Sequence, residues 1–332
     1  MNLMFAESSE WLIVLLGSVL LLCGGVSISL PWFSAHLAFW GWREDNDDDV
    51  AFARRLSGLC LASLLPVFFI GAVLFLLVST IQPSVFFTSV IALIRPLAAL
   101  VVLLFAYMVL VFAHSKRVGQ GSKFAYAHLM MIPAGVLMVL SAGIAWVFTL
   151  SCMSPYLLGL EEGWGWRFLR YSSFWWPVAH FYLLAFSVGG LVLVFLGGRV
   201  FRWESYISVS NGSRWVRLGA KFSLCFLMIQ AGLAGAWLFF RGSDFLDVML
   251  ASGGSPFVVF LISGAVCVVL LLELLIGVLR RGGSERMSGY FAIILVFILV
   301  LSVNSARLTL NQNGFSLSGQ SDSLGQTQGR SP

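Results

Sequence analysis

The sequence predicts an all-α fold, a polytopic transmembrane helix bundle of about eight spans with both termini outside, on the periplasmic side. Three observations predict it. Of the 332 residues, 59% are hydrophobic and only 11% charged, against about 25% charged in a soluble domain. Apolar runs of roughly 20 residues, enough to cross a hydrocarbon core of ~30 Å, recur along the whole chain. Basic residues gather in every second loop, the signature of alternating membrane sides.

The spans fall at about 11–37, 57–80, 94–113, 125–151, 173–197, 216–240, 255–279 and 288–307. MNLMFAESSE lacks a basic n-region, and the run after it is longer than the apolar core of a signal peptide, so the first span reads as a retained helix. Between the second and third spans, PSVFFTSVIAL (83–93) reads as a short interfacial or re-entrant segment. That break puts Arg95-Pro96 at the start of the third span, where proline is tolerated. A continuous helix from residue 85 would instead carry Arg95 deep into lipid, at a cost of several kcal/mol. Residues 1–310 therefore form the bundle. The tail 311–332, rich in Ser, Gly and Gln, is expected to be a disordered polar extension.

Thirteen of the twenty basic residues lie in the loops after spans one, three, five and seven, among them Arg54, Lys116, Arg214 and Arg280. Those loops face the cytoplasm by the positive-inside rule. The net charge of +5 reports these loops, so lipid is the expected partner and nucleic acid is not. The five cysteines form neither a CxxC pair nor a CxxCH motif. A c-type haem on this chain is thereby excluded, and the pattern argues against structural zinc or iron–sulfur sites. Nor is there a P-loop, a dinucleotide fingerprint or a nucleophile triad.

Polar residues are costly in a bilayer and therefore informative. His180 lies in SSFWWPVAHFYLLAFSVGG (172–190), near the outer face and about 10 Å deep by helix rise. A neutral imidazole there can hydrogen-bond a neighbouring carbonyl. It can equally serve as the axial ligand of a b-type haem, with Trp175, Trp176 and Phe181 nearby. The small residues Ala185, Ser187, Gly189 and Gly190 would let another helix, or a flat macrocycle, approach closely. A second axial ligand is absent, or comes from a partner chain, or is a thioether: Met153 or Met249 towards the outer side, Met138 or Met228 near mid-bilayer. His36, His114 and His128 fall near the cytoplasmic ends of their spans. The preferred reading has them reaching into headgroups beside Lys116, Arg117 and Lys123, the competing one a bis-histidine haem or a quinone site. Glu161 and Glu162, with Arg167 and Arg170, are expected in a solvated outer loop, the competing role being proton uptake from a quinol or docking of a basic cytochrome. Glu273 is expected to pair with Arg280 or Arg281 rather than serve in a proton path.

The stretch RYSSFWWPVAHFYLLAFSVGGLVLVFL (170–196) resembles the fifth helix of the large subunit of cytochrome bd-type quinol oxidases, in which a histidine ligates a low-spin b haem. RWVRLGAKFSLCFLMIQAGLAGAWLFFRG is similar to the sixth helix of that family, and SAGIAWVFTLSCMSP to the end of its fourth. The departures are specific. AESSEWLIVLL carries no counterpart of the high-spin haem histidine, and IRPLAALVVLLFAY none of the third-helix carboxylates. The outer quinol loop is cut to RGSDFLDVMLASGGS, and PFVVFLISGAVCVVL lacks the second low-spin ligand, a methionine. The resemblance thus implies at most one b haem, at His180, and argues against oxygen reduction. It further implies a multi-pass protein of the bacterial cytoplasmic (inner) membrane. Such a chain would pass electrons between the quinone pool and a multihaem or other periplasmic cytochrome. The alternative is a haem-free transporter or scaffold derived from the same fold.

Overall fold

A spanning segment must satisfy its own backbone hydrogen bonds, so apolar runs of this length become helices. The computed structural model describes residues 2–81, 83–117, 125–153, 172–203, 209–251 and 255–279. These form eight helices in chain order: α1 (Asn2–Arg43), α2 (Asp47–Ile81), α3 (Pro83–Ala92), α4 (Ile94–Arg117), α5 (Ala125–Met153), α6 (Ser172–Trp203), α7 (Val209–Ala251) and α8 (Ser255–Leu279). No strand occurs among the described residues. Six of the helices are long and apolar enough to cross a membrane, and the chain is a polytopic helical membrane protein. The span expected at 288–307, and the tail 311–332, lie outside the described residues.

The break before the third span is present. Leu93 separates the short α3 from α4, and Arg95-Pro96 sits in the first turn of α4 with Arg95 exposed. The helices otherwise outrun the hydropathy. α2 begins inside the acidic run, with Asp47, Asp48 and Asp49 in its first turn, where negative charge suits the helix dipole. Asn46 caps it by accepting from the Asp48 amide at 3.2 Å. α1 ends in a Schellman-type turn: Asp45 has φ 52°, and the Asn46 amide donates to the Gly41 carbonyl at 2.8 Å. α7 runs on through RGSDFLDVMLA to Ala251, so residues 241–251 are helix rather than the expected outer loop.

Helix contacts rest on small residues and short polar bonds, as expected where lipid supplies no hydrophobic contrast. Ser27 and Ser63 join α1 to α2 hydroxyl to hydroxyl at 2.7 Å, and Ser34 donates to the Ala53 carbonyl at 2.8 Å. Pro31 inside α1 lacks the amide that would reach the Ser27 carbonyl. Tyr107 of α4 donates to that carbonyl instead, at 3.4 Å. Between α6 and α7, a Cβ on Gly190 would strike Ser223 and the Gly219 carbonyl, and Ser223 donates to the Ser187 carbonyl at 2.7 Å. On its other side α6 meets α1, with Gly25 against Ala185 and Gly189 against Ser29 and Phe33. The order of those pairs makes α1 and α6 parallel neighbours.

Candidate functional site

The two histidines that matter stand at different levels of the bundle. Gly25 faces Ala185 and Ser29 faces Gly189, so His36 is level with about residue 196 of α6. His180 is sixteen positions away from that level, roughly 24 Å along the helix axis.

His180 is half-buried on α6. The next residue, Phe181, stacks on Trp146 of α5 with centroids 5.6 Å apart and planes 11° from parallel. Tyr182 donates its hydroxyl to the Val139 carbonyl at 2.6 Å, which fixes α6 against α5 one residue further on. The sequence therefore holds the imidazole on a rigid, aromatic-flanked segment. The small residues beyond it do a different job from the one a haem would need. Ala185 and Gly189 admit α1, and Gly190 admits α7, so that side of α6 is occupied by helices rather than open to a macrocycle. Met153 is the last residue of α5 and Met249 lies in the last turn of α7. Both lie just beyond the expected spans 125–151 and 216–240 yet are helical, and the side chains of both methionines lie outside the described residues. No group of three or more metal-ligating side chains occurs among the described residues.

At the level of His36 the molecule opens. A cavity of about 650 Å³ lies along α1, walled by Trp32 and Phe39 of α1, Ile132 of α5, Phe186 of α6, and Phe222 and Phe226 of α7. His36 lines it too, half-buried, with its ring edge-on to Phe222 at 5.9 Å. Phe186 and Phe226 stack at 5.0 Å, and Phe33 meets Phe222 edge-on at 5.1 Å. His114, expected to reach towards headgroups with His36, is instead fully buried. The His128 side chain lies outside the described residues. So do Glu161, Glu162, Arg280 and Arg281, while Glu273 is half-buried on α8.

Beside this cavity, a polar cluster that the sequence did not announce fastens the end of the bundle assigned to the cytoplasm. Asp49 is fully buried beneath the α1–α2 turn, packed against Gly41. It accepts from the Trp215 indole at 2.5 Å and lies 3.3 Å from Arg214, which also pairs with Glu44 at 2.7 Å. Trp215 in turn stacks on Phe52 with centroids 4.0 Å apart. The signal that could have found it was the acidic run itself: an aspartate three residues after a capping asparagine faces inward from the first turn of α2.

No protein-family model matches the sequence, and no curated protein does. Among solved structures the chain is similar to the bd oxidase from Geobacillus thermodenitrificans, with a TM-score of 0.71 and 13% identity, over 92% of this chain and 86% of that one. At that identity the likeness is one of fold: the chain is a multi-pass membrane protein with a bd-oxidase-like fold.

Proposed function

We propose that this chain is the membrane subunit of a bacterial respiratory electron-transfer complex, passing electrons between the quinone pool and a periplasmic cytochrome through one b-type haem at His180. The observation that carries the reading is a bd-oxidase-like fold over 92% of the chain with a half-buried imidazole on α6. The donor chemistry fits one axial position: an imidazole on a rigid helix, set by the Trp146–Phe181 stack and the Tyr182 hydrogen bond. A porphyrin has no room along the Ala185–Gly189–Gly190 side, so the chain's own contribution would be His180, with a second ligand absent, supplied by Met153 or Met249, or supplied by a partner chain. A bound b haem supplies one-electron exchange. His180 would supply the nitrogen that holds the iron. The partner is a multihaem or other periplasmic cytochrome, and the setting is the bacterial inner membrane.

The test is a dithionite-reduced minus oxidised optical spectrum of the purified protein. A b-type α-band that disappears in His180→Ala, with folded yield unchanged, is the expected result. No band in a preparation known to retain haem sinks the reading. A second reading, a haem-free scaffold or transporter on the same fold, is favoured by one observation: helices α1 and α7 fill the side of α6 that a macrocycle would use. Under it, His180→Ala leaves function and partner binding intact.

A further inference from the structure

Helices α6 and α7 are antiparallel, and their contacts fix the register between them. Gly197 lies against Trp215 and Val216, Gly190 against Gly219 and Ser223, and Phe186 stacks on Phe226. The Ser223 hydroxyl donates to the Ser187 carbonyl at 2.7 Å, so those two residues mark the facing lines of the two helices. Seven residues outward from Ser187 on α6 stands His180, and seven outward from Ser223 on α7 stands Gln230. Seven residues are two turns, with a drift of only about 20°. Both side chains therefore return to the lines that the serines occupy, roughly 10 Å further along the seam. Between the two levels, Leu184 and Leu227 belong to one apolar cluster. His180 and Gln230 are thus placed opposite each other across the seam.

Gln230 supplies an independent observation. It is half-buried, and its Oε1 is shielded from solvent and meets no hydrogen-bond donor among the described residues. A buried acceptor in that state is costly, and more so in a membrane span, where water cannot serve it. Leucine would fill the same place at no such cost, so the amide is accounted for by a donor that faces it. The register puts an imidazole there. A neutral imidazole carries one N–H and one lone pair, on nitrogens that point in divergent directions. Where the lone pair holds a metal, the N–H on the other nitrogen normally donates to an oxygen acceptor. That bond fixes the tautomer, orients the ring and makes the ligand more basic.

We propose that Gln230 is the positioning residue of His180: its Oε1 accepts the proton of one imidazole nitrogen across the α6–α7 seam and leaves the lone pair of the other nitrogen directed away from α7. The hydrogen bond follows from the seam alone. Only its consequence for an iron-bound imidazole rests on the reading given under Proposed function. There an acceptor on the N–H pushes electron density through the ring and favours ferric over ferrous iron, so that removing it raises the midpoint potential.

The test uses the full-length protein in detergent, dithionite-reduced and isotopically labelled in its histidine rings, with the ring nitrogens read by NMR. The His180 signals are those lost in His180→Ala. Gln230→Met keeps the bulk and removes the acceptor, and is expected to shift the protonated nitrogen of His180. Gln230→Glu returns an oxygen to the same place and is expected to bring that signal back towards wild type. If Gln230→Met does not fold, Gln230→Asn, whose amide is withdrawn by one methylene, is read in its place with the same expected shift. A His180 signal that stays unchanged means that the N–H is held elsewhere, such as by a carbonyl of α6 itself, and overturns the proposal. In a preparation that holds haem, the midpoint potential is expected to rise in Gln230→Met and to return towards wild type in Gln230→Glu; a purely structural role for Gln230 would move neither readout. A preparation without haem that shows the nitrogen shift upholds the bond and overturns only the haem reading. One with haem and no shift overturns the bond and leaves the haem reading standing.

Discussion

The seam of α6 and the wall of α1 are built on opposite rules within one bundle. Along α6, glycine, alanine and serine let two helices approach until backbone meets backbone: Gly190 against Gly219, Gly189 against Ser29, Ala185 against Gly25. Along α1, from Trp32 to Trp42, large rings hold the neighbouring helices apart, and a cavity of about 650 Å³ is left between them. The difference teaches where a membrane protein can accept a ligand. Small residues near a histidine look like room for a cofactor in a linear sequence, yet in three dimensions they are where helices close. Bulky aromatics look like filler and are what keep space open.

The largest expected effect comes from forcing the seam apart. Gly190→Leu drives a side chain into the Gly219 carbonyl and Ser223. Overpacking usually costs about 1–3 kcal/mol. Here the obstacle is backbone that cannot swing aside, so the expected outcome is loss of monodisperse protein on size-exclusion chromatography. Gly24→Leu is the control on α1. A Cβ there meets nothing within 4 Å, and the variant should behave as wild type. Equal behaviour of the two variants would erase the contrast between the packed and the open regions.

The next effect lies at the end of the bundle beside the cavity. Asp49→Ala leaves the Trp215 indole buried without its acceptor, which costs roughly 1–3 kcal/mol for an unsatisfied group. The measurement is thermal unfolding in detergent. Asp49→Asn retains a side-chain carbonyl for the indole and should lose less. A full loss in both variants would mean that charge on Asp49, facing Arg214, matters more than the hydrogen bond.

Much of the fold was legible because hydropathy reports lipid contact directly. Seven of the expected spans coincide with helices, and the cost of burying Arg95 correctly located the break between α3 and α4. Two things were hidden for physical reasons. Helices do not stop where lipid stops, so α2 starts among aspartates and α7 continues through Arg241 and Asp244 to Ala251, where hydropathy alone suggested loops. The cavity was hidden because its walls come from four helices. His36 was visible as a histidine near a span end, but its neighbour Phe222 is 186 positions further on, and no local pattern connects them. The Asp49–Trp215 bond, across 166 positions, was invisible for the same reason.

Smaller effects sharpen the contrast between the two histidine levels. Tyr182→Phe deletes the hydroxyl bond to the Val139 carbonyl that ties α6 to α5. Interhelical hydrogen bonds in membranes average about 0.6 kcal/mol in double-mutant cycles, so a shift of a few degrees in unfolding temperature is the expected outcome. The location of that bond, two residues after His180, makes the variant useful beyond its stability. If His180 holds a haem, loosening the α6–α5 contact should broaden or shift the b-type α-band, whereas His36→Leu at the other level of the bundle should leave it unchanged. A spectral change in His36→Leu would show that the two levels are coupled through α6.

The smallest effect is at the surface. Arg214 and Glu44 pair at 2.7 Å, but their side chains are 41% and 42% exposed. An exposed pair contributes between about 0 and 1 kcal/mol because water and salt screen it. Glu44→Gln should therefore change the unfolding temperature little, and less still at high salt. Arg214→Gln reaches further than its partner's loss does, because the same guanidinium lies 3.3 Å from the fully buried Asp49. The two substitutions remove the same surface pair, so any excess destabilisation in Arg214→Gln measures what the guanidinium does for the buried carboxylate. That excess should disappear in an Asp49→Asn background, where no carboxylate is left to neutralise. If it persists there, Arg214 stabilises the end of α7 by packing rather than by charge, and the polar cluster beside the cavity reduces to the Asp49–Trp215 hydrogen bond and the Phe52 stack beneath it.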